Sequence, residues 1–344
     1  MNVDGIYIRL IQKIRYMIAS VKCLIIKKEE TDLQKFSVKN GRLPSCVTKG
    51  LSRSVTINNE YPAGKRIEFE TERTCLRFRV FYRKRRVLPH MSTTGTSGID
   101  IYIKDDSGYH WKKCISPANE LQMHCEAEVV LDKGKKIICI YYPSFAVIDH
   151  IFVNDEDVKL IQNPQNSIVI YGSSITHGCA ATRPGIVYSN LLQRKIGYDV
   201  LNFGFSESAR GELPIIRYIA SLNAKIFILE FDHNSSVEEL KGSHLNVYKA
   251  IREITDCWVI LMSRFSGGLS ISEEEEKMRC NIIKDTFEYA VSKLDKRITY
   301  INGGILFNTD KSNYFIDGVH PNDLGMHFIA ERIANEIKEK GMIE

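Results

Sequence analysis

The sequence predicts an α/β protein in which an antiparallel β-sandwich precedes a three-layer α/β/α domain with a parallel sheet. Two patterns along the 344-residue chain predict this fold. Between about residues 67 and 153, short strands of alternating polarity are separated by turns, as in a sandwich or jelly roll. From about residue 167, nearly continuous apolar strands alternate with longer amphipathic segments, which is typical of a parallel sheet covered by helices on both faces. The chain is also long enough for two domains.

The first region contains strands that are recognised by their alternation. In CLRFRVFYR, the apolar residues Leu76, Phe78 and Val80 alternate with Arg77 and Arg79, which predicts one buried face. The segment GIDIYIKDDSGYHW contains a strand followed by an Asp-Asp-Ser-Gly turn. AEVVLDKGKKIICIYYP contains two strands around an Asp-Lys-Gly turn. These spacings favour an antiparallel arrangement.

The second region alternates strands with helices. The predicted strands are SIVIYG, DVLNFGF, AKIFILEFD, CWVILMSRF and ITYINGG. The predicted helices are YSNLLQRKIG, ELPIIRYIASLN, VEELKGSHLNVYKAIREIT, EEEKMRCNIIKDTFEYAVSKL and LGMHFIAERIANEIKEK. In a parallel sheet of this type, the functional residues lie at the carboxyl ends of the strands.

Composition and charge argue against several functional classes. The chain is 44% hydrophobic and 26% charged with a formal net charge of +5, which does not indicate nucleic-acid binding. No run approaches the roughly 20 apolar residues of a transmembrane helix. No signal peptide is apparent either, so we expect a cytoplasmic protein. The segment INGGILF lacks the lysine of a phosphate-binding loop.

The nine cysteines indicate free thiols. Their number is odd, and no two of them form a Cys-x-x-Cys pair. Several lie in apolar runs, such as Cys139 and Cys257, so we expect reduced core residues rather than a disulfide framework or a structural zinc site. Since His233 and His244 also lack the spacing of metal ligands, we expect neither a metal nor another cofactor.

Polar residues gather where the predicted parallel strands end. The first strand is followed by a Ser-Ser pair that includes Ser174, and the third ends in an Asp-His-Asn segment that includes Asn234. The last helix is preceded by Asp-Gly-Val-His, from Asp317 to His320. If these ends converge, one site contains a serine, a histidine, an aspartate and an asparagine.

These residue types suit acyl transfer. A serine hydroxyl needs a base to accept its proton, and His320 can be that base for Ser174. Asp317 can hold the imidazole in the required tautomer. Asn234 and backbone N–H groups near Ser174 and residue 207 can stabilise the oxyanion. Taken singly, the serine could be a helix N-cap, the histidine a helix-start residue and the asparagine a turn residue, but the ordered set favours catalysis.

The motifs GSSITHG, DHN, MSR and DGVHPNDLG resemble those of the SGNH (GDSL-type) esterase and lipase superfamily. The family's first block, Gly-Asp-Ser-[Leu/Ile], matches GSSI, so the resemblance implies that Ser174 is the nucleophile. It likewise implies that Asn234 is the oxyanion asparagine and that Asp317 and His320 form the Asp-x-x-His block. LPHMSTTGTSGIDIYI is similar to the N-terminal sandwich of one subgroup. The resemblance spans about residues 50–344 and implies a jelly-roll-like domain before the α/β/α domain.

Two positions depart from the family pattern. The aspartate of the first block is Ser173 here, and this position is not the nucleophile. In the second block, Asn-x-Gly-x-Ser-Gly, the oxyanion glycine falls at position 207, where the chain has Glu207. Its N–H is retained, but a carboxylate near the oxyanion would repel it by about 1–4 kcal/mol, and glutamate is unfavourable at positive φ. We therefore expect the Glu207 side chain to turn away from the oxyanion.

The resemblance implies a serine esterase that acts on small acyl esters, with O-acetyl groups on a carbohydrate as the favoured substrate class. Glu207 leaves open a second hypothesis, a carbohydrate-binding module with a degenerate active site. A third hypothesis is an SGNH-type acyltransferase, which would use the same residues. Weaker candidates for substrate contact are His90 in VLPHMSTTG, Gly204 in the second block and Arg264 in the MSR motif.

We divide the chain into an N-terminal amphipathic helical segment (residues 1–35), a sandwich domain (36–163) and an SGNH hydrolase domain (164–344). In residues 7–25, apolar residues recur at three- and four-residue steps, and basic residues fill many other positions. Such a stripe most often packs on the protein itself or on a second subunit. A helix of this composition can also lie on an anionic membrane surface.

Overall fold

The computed structural model of the chain describes residues 34–155, 158–161, 167–265, 271–307 and 311–343. The predicted amphipathic helix at residues 7–25 lies outside these residues. No helix in the described ranges is long and apolar enough to cross a membrane. The eight cysteines within them are free thiols, and four of these are buried.

Two antiparallel sheets form the N-terminal sandwich. The strands in its described part are β1 (Gln34–Ser37), β2 (Arg66–Thr71), β3 (Cys75–Arg85), β4 (Ile99–Asp105), β5 (Gly108–Ile115), β6 (His124–Val130), β7 (Lys136–Tyr141), β8 (Ala146–Val153) and β9 (Lys159–Ile161). One sheet has the order β1-β8-β3-β6 and the other has the order β5-β4-β7-β2-β9. The accompanying short helices are α1 (Ser45–Thr48), α2 (Arg53–Asn59) and α3 (Thr93–Ser97).

Alternating polarity decides which face of each sandwich strand is buried. In β3, Leu76, Phe78 and Val80 are fully buried, whereas Arg77 is exposed. The Arg77 guanidinium lies 2.6 Å from the carboxylate of Glu128 on β6, on the outer face of the sheet. The predicted alternation is therefore confirmed, and the inner faces of the two sheets share one apolar core.

A parallel sheet follows the sandwich. Its strands within the described residues are β10 (Ser167–Gly172), β11 (Asp199–Gly204), β12 (Ile226–Glu230), β13 (Trp258–Met262) and β14 (Ile298–Ile301), in the order β11-β10-β12-β13-β14. They agree with the predicted strands to within a few residues. Since β10 pairs with β11 on one side and with β12 on the other, the strand order reverses at β10. Such a switch point opens a crevice at the carboxyl end of the sheet.

Helices cover both faces of this sheet. The helices in the described part are α4 (Ser174–His177), α5 (Tyr188–Ile196), α6 (Leu213–Ala220), α7 (Val237–Arg252), α8 (Glu273–Ser292) and α9 (Asp323–Glu339). Along β10, Val169 and Tyr171 pack in the core beneath α6, α7 and α8. Ile168 and Ile170 face the opposite core, beneath α5 and α9. The chain thus has the predicted fold, an α/β/α domain preceded by an antiparallel sandwich.

A buried aspartate of the sandwich contacts the α/β/α region. Asp100 on β4 is fully buried. Its Oδ2 accepts hydrogen bonds from Arg183 Nη1 at 2.5 Å and from the Gly185 N–H at 2.9 Å, and its Oδ1 accepts one from Trp111 Nε1 at 2.7 Å. Because Arg183 and Gly185 lie just before α5, these bonds hold the sandwich against the helical layer.

Candidate active site

The turn from β10 into α4 presents the predicted nucleophile. Ser173 caps α4 by accepting the Ile175 N–H at 3.1 Å, and Ser174 is the first residue of the helix. The preceding Gly172 is required by close packing, since a Cβ there would lie 2.1 Å from Thr176 Oγ1. Ser174 is 7% exposed, so its hydroxyl is held in a nearly buried position at the carboxyl end of β10.

Three predicted residues form a continuous hydrogen-bonded chain. Ser174 Oγ lies 2.9 Å from His320 Nε2, and His320 Nδ1 lies 2.7 Å from Asp317 Oδ2. Asp317 Oδ1 also accepts the N–H of Val319 at 3.0 Å and that of His320 at 2.8 Å. Partial burial opposes ionisation of Asp317, but these hydrogen bonds outweigh it and lower its pKa. The carboxylate therefore binds the Nδ1–H and leaves Nε2 free to accept the serine proton.

The three predicted oxyanion donors follow three adjacent strands. Ser174 follows β10, which lies between β11 and β12, while Glu207 follows β11 and Asn234 follows β12. The side-chain amide of Asn234 donates to the carbonyl of Phe205 at 3.0 Å. This bond ties the segment after β12 to the segment after β11, so the loops that carry the donors are joined at one edge of the sheet.

Glu207 occupies the family's glycine position in the left-handed backbone conformation. Its φ is 61°. Its side chain is 76% exposed, and its carboxylate lies 3.4 Å from Arg86 Nη2. Among the described residues, none accepts a hydrogen bond from the Glu207 backbone N–H. The carboxylate thus extends into solvent, while the N–H group stays available.

Sequence reasoning missed a buried glutamate beside the predicted nucleophile. Glu230, the last residue of β12, is 1% exposed and accepts hydrogen bonds from Ser173 Oγ at 2.9 Å and from Thr176 Oγ1 at 2.5 Å. Burial raises the pKa of Glu230 to about 7, although these hydrogen bonds oppose the shift. A carboxylate from the neighbouring strand therefore contacts Ser173, where the family has an aspartate. The signal in the sequence was a glutamate inside the apolar run IFILEF.

Two residues between β1 and β2 of the sandwich hold the end of β11 and the loop that follows it, and the sequence did not reveal them. Arg42 Nη1 donates to the carbonyl of Gly204 at 2.6 Å, and the guanidinium lies 4.7 Å from the ring centroid of Phe205. Asn58 Nδ2 donates to the carbonyl of Ser206 at 2.7 Å. These contacts join positions about 150 residues apart, so no local pattern indicates them.

Two of the weaker candidates lie at packed positions. Gly204 is buried against α4, and a Cβ there would lie 2.2 Å from the backbone nitrogen of His177, so this glycine has a packing role. Arg264 is 7% exposed, and Asp232 accepts its backbone N–H at 2.9 Å.

The third weaker candidate, His90, reaches the site from the sandwich. Its ring stacks on that of His320 with 5.5 Å between centroids and 8° between planes. Its Nε2 lies 3.0 Å from Cys179 Sγ. His90, Cys179 and His320 each offer a ligand atom within 4.8 Å of the others, so this group could hold a metal ion. Burial raises the pKa of Cys179 to about 12, which keeps the thiol protonated and opposes metal binding.

Fold and site together define a serine hydrolase of the α/β/α class. Residues 165–338 match the GDSL-like lipase/acylhydrolase family, and residues 22–155 match the N-terminus of SGNH-hydrolase-type esterases. Since the first match covers half of the chain, the protein belongs to the GDSL-like lipase/acylhydrolase family.

Three solved structures share this fold over most of the chain. A GDSL-like lipase from Bacteroides ovatus ATCC 8483 superposes with a TM-score of 0.80 at 22% identity. The alignment covers 91% of this chain and 97% of the lipase chain. A salicylyl-acyltransferase from a tetracycline biosynthetic pathway has a TM-score of 0.73 at 16% identity, covering 90% and 95%. A family two carbohydrate esterase from Clostridium thermocellum, in complex with cellohexaose, has a TM-score of 0.58 at 14% identity, covering 82% and 94%. At these identities the likeness shows the fold alone.

One curated sequence is similar over a short segment. The crossover junction endodeoxyribonuclease RuvC of Wolbachia sp. subsp. Brugia malayi (strain TRS) is 34% identical over 82 residues, which is 24% of this chain. The chain spans about half of that relative's length, 46%.

Proposed function

We propose that the protein is a serine esterase that hydrolyses small acyl esters, with O-acetyl groups on carbohydrates as its substrate class. The observation that carries this proposal is the hydrogen-bonded chain from Ser174 through His320 to Asp317. A serine, a histidine and a carboxylate in this order can activate the hydroxyl as a nucleophile.

In the first half of the proposed reaction, Ser174 Oγ attacks the ester carbonyl while His320 Nε2 takes the serine proton. The negative charge on the carbonyl oxygen is stabilised by the N–H groups of Ser174 and Glu207 and by the amide of Asn234. When the tetrahedral intermediate collapses, the C–O bond to the alcohol breaks, and His320 gives its proton to the leaving alcohol. An acyl-enzyme remains.

In the second half, water replaces the alcohol. His320 accepts a proton from the water, and the resulting hydroxide adds to the acyl carbonyl. The bond to Ser174 Oγ then breaks, the proton returns to the serine and the carboxylic acid leaves. Asp317 stays ionised throughout and stabilises the imidazolium that forms twice per cycle.

A carbohydrate as the alcohol is supported by polar groups that the sandwich brings to the site. The loop after β3 carries Arg86, beside Glu207, and His90, stacked on His320. A sugar with several hydroxyl groups needs such hydrogen-bonding partners around the scissile ester. A structural neighbour that is a carbohydrate esterase, solved with cellohexaose, has the same fold and is consistent with this substrate class.

The test is an ester panel with the full-length protein and its Ser174→Ala variant. We expect hydrolysis of p-nitrophenyl acetate and release of acetate from acetylated xylo- or mannooligosaccharides, with kcat lower by several orders of magnitude in the variant. Ser221→Ala, which changes an exposed serine, is the matched control and should keep wild-type activity. Unchanged hydrolysis by Ser174→Ala would refute the mechanism. A preference for octanoate over acetate esters would refute the substrate class.

A second function, acyl transfer, is favoured by the likeness to the salicylyl-acyltransferase. It would use the same acyl-enzyme but a different acceptor, so product partitioning separates the two. Adding a sugar alcohol to a p-nitrophenyl acetate reaction should leave acetate as the main product of an esterase. If acetylated sugar alcohol is the main product instead, the protein is a transferase.

A further inference from the structure

A cavity separate from the active site lies between the sandwich and the edge strand β11. Its volume is about 470 Å³, and neither Ser174, Asp317 nor His320 lines it. Residues of β2 and the turn before it form one wall, and residues of β11 and α6 form the other. A volume of this size suits a small organic ligand.

One wall of the cavity carries a buried guanidinium that pairs with no carboxylate of the described residues. Arg42 is 8% exposed, and it donates hydrogen bonds to the carbonyls of Asn58, Asn202 and Gly204. Its Nε has no hydrogen-bond partner among the described residues. None of the ion pairs in the described part of the chain includes Arg42. Burial lowers the pKa of Arg42 to about 9.

Lys65 adds a second positive charge to the same cavity. Its Nζ donates to the carbonyls of Lys39 at 2.8 Å and of Gly41 at 2.7 Å. An ammonium has three N–H donors, so one remains for a further acceptor. Burial, followed by the positive charges of Arg42 and Lys39, lowers the pKa of Lys65 to about 8. The two cations therefore repel each other, and within the described part of the chain neither forms an ion pair with a carboxylate.

A neighbouring arginine shows how the chain neutralises a buried cation elsewhere. Arg66, which also lines the cavity, pairs with Asp199 at 2.6 Å and with Glu68 at 3.1 Å. Arg42 and Lys65 have backbone carbonyls in place of carboxylates. Since an unpaired buried charge is unfavourable, this end of the cavity is complementary to an anion.

The rest of the lining is largely apolar and includes Ile67, Leu201, Tyr218 and Leu222. An inorganic anion would contact only the cationic end and would make no contact with these apolar side chains. We propose that the cavity binds an organic carboxylate with an apolar body, its carboxylate accepting a hydrogen bond from Lys65 Nζ and lying beside the buried positive charge of Arg42. This ligand site does not depend on the proposed esterase activity.

The test uses 4-phenylbutyrate as the probe, with the full-length protein and isothermal titration calorimetry. Its neutral analogue, 4-phenylbutanamide, and inorganic phosphate are titrated in parallel. We expect the carboxylate to bind and the amide and phosphate to bind at least tenfold more weakly. Lys65→Met keeps the apolar stem but removes the charge, and it should weaken carboxylate binding at least tenfold. Lys133→Met, at an exposed turn, is the matched control and should bind like the wild type.

Three outcomes overturn the proposal: equal binding of acid and amide, unchanged binding by Lys65→Met, or phosphate binding as tight as that of 4-phenylbutyrate. Should Lys65→Met fail to fold, Lys39→Met provides the same comparison, because the exposed Lys39 side chain also lines the cavity. That variant should weaken carboxylate binding about threefold, and an unchanged affinity would count against the site. Hydrolysis of p-nitrophenyl acetate, measured separately, reports only on the proposed esterase function.

Discussion

At position 207 the chain adopts a backbone conformation that glycine favours, although the residue is a glutamate. The left-handed region is unfavourable for a residue with a Cβ by about 1–2 kcal/mol. With φ at 61°, the side chain 76% exposed and its carboxylate 3.4 Å from Arg86 Nη2, this strain is local to Glu207. The family's glycine is thus replaced without loss of the backbone N–H.

We predict that Glu207→Gly stabilises the protein by about 1 kcal/mol and changes kcat/KM by less than tenfold. The strain is relieved, while the N–H donor remains. Urea unfolding and p-nitrophenyl acetate kinetics measure the two effects. Arg86→Met is the control, since it removes the ion-pair partner without altering the backbone. A hundredfold gain in activity for Glu207→Gly would mean that the carboxylate inhibits and would favour the degenerate-site hypothesis.

Glu230 gives the stability of the protein a pH dependence. Its pKa is raised from 4.5 to about 7 by burial, so the folded protein holds this proton more tightly than the unfolded chain does. This carboxyl therefore contributes stability that is fully present below about pH 4.5 and is lost as the pH rises to about 7. The total loss is on the order of 3 kcal/mol.

We predict that Glu230→Gln removes this contribution, because glutamine does not titrate. The free energy of unfolding of the variant minus that of the wild type should therefore increase from pH 5 to pH 8. Urea unfolding of both proteins at the two pH values measures the gain. Glu238→Gln, at an exposed position on α7, should keep the wild-type pH dependence. If Glu230→Gln and the wild type lose stability in parallel, Glu230 does not titrate in this range.

At the scale of elements, the loop after β11 is positioned from outside its own domain. Arg42 binds the carbonyl of Gly204, the last residue of β11, and Asn58 binds the loop at the Ser206 carbonyl and the Ser208 hydroxyl. Asn58 lies on α2, so a short helix between β1 and β2 of the sandwich holds the loop that carries the Glu207 N–H. An oxyanion donor is effective only when its geometry is held in advance.

We predict that Asn58→Ala lowers kcat about tenfold or more, with a smaller change in KM. In the proposed mechanism, the Glu207 N–H binds the oxyanion only in the transition state, so a displaced loop would affect kcat most. Steady-state kinetics on p-nitrophenyl acetate measures the effect, and urea unfolding shows that the variant is folded. Thr56→Ala, at an exposed position on the same helix, is the control. A folded Asn58→Ala protein with wild-type kcat would exclude a positioning role.

At the scale of the whole molecule, the contact between sandwich and α/β/α region depends on polar groups as well as apolar area. Asp100 is fully buried, and each of its carboxylate oxygens accepts a hydrogen bond. Removing one partner of a buried ion pair leaves the other charge buried without compensation. This lowers the free energy of unfolding more than the loss of an exposed ion pair does.

We predict that Asp100→Asn lowers the free energy of unfolding by about 3 kcal/mol, at the lower end of the usual range because Arg183 partly reaches solvent. Glu128→Gln, which breaks the exposed pair with Arg77, should leave stability nearly unchanged. Urea unfolding of both variants provides the comparison. Equal losses in the two variants would show that the buried pair does not stabilise the contact.

The sequence by itself determined the fold class, the parallel strands and the three residues that form the hydrogen-bonded chain of the candidate site. The periodicity of apolar residues distinguishes strands from helices within a few residues of sequence. In a parallel sheet, the carboxyl ends of all strands then lie along the same edge. Ser174, Asp317 and His320 were predictable for this reason, since Ser174 lies in the turn after β10 and the other two lie in the segment before α9. The resemblance to the SGNH motifs then implied a role for each of these residues.

Only the tertiary structure decided what surrounds those residues. The contacts of Arg42, Asn58 and His90 with the site join distant segments, and their geometry depends on how the sandwich docks. Glu230 stands out in the sequence as a glutamate in an apolar run, but only the fold places it against Ser173. Its burial there raises its pKa. Short-range periodicity is encoded by neighbouring residues, whereas desolvation and charge pairing depend on which remote groups the folded chain places together.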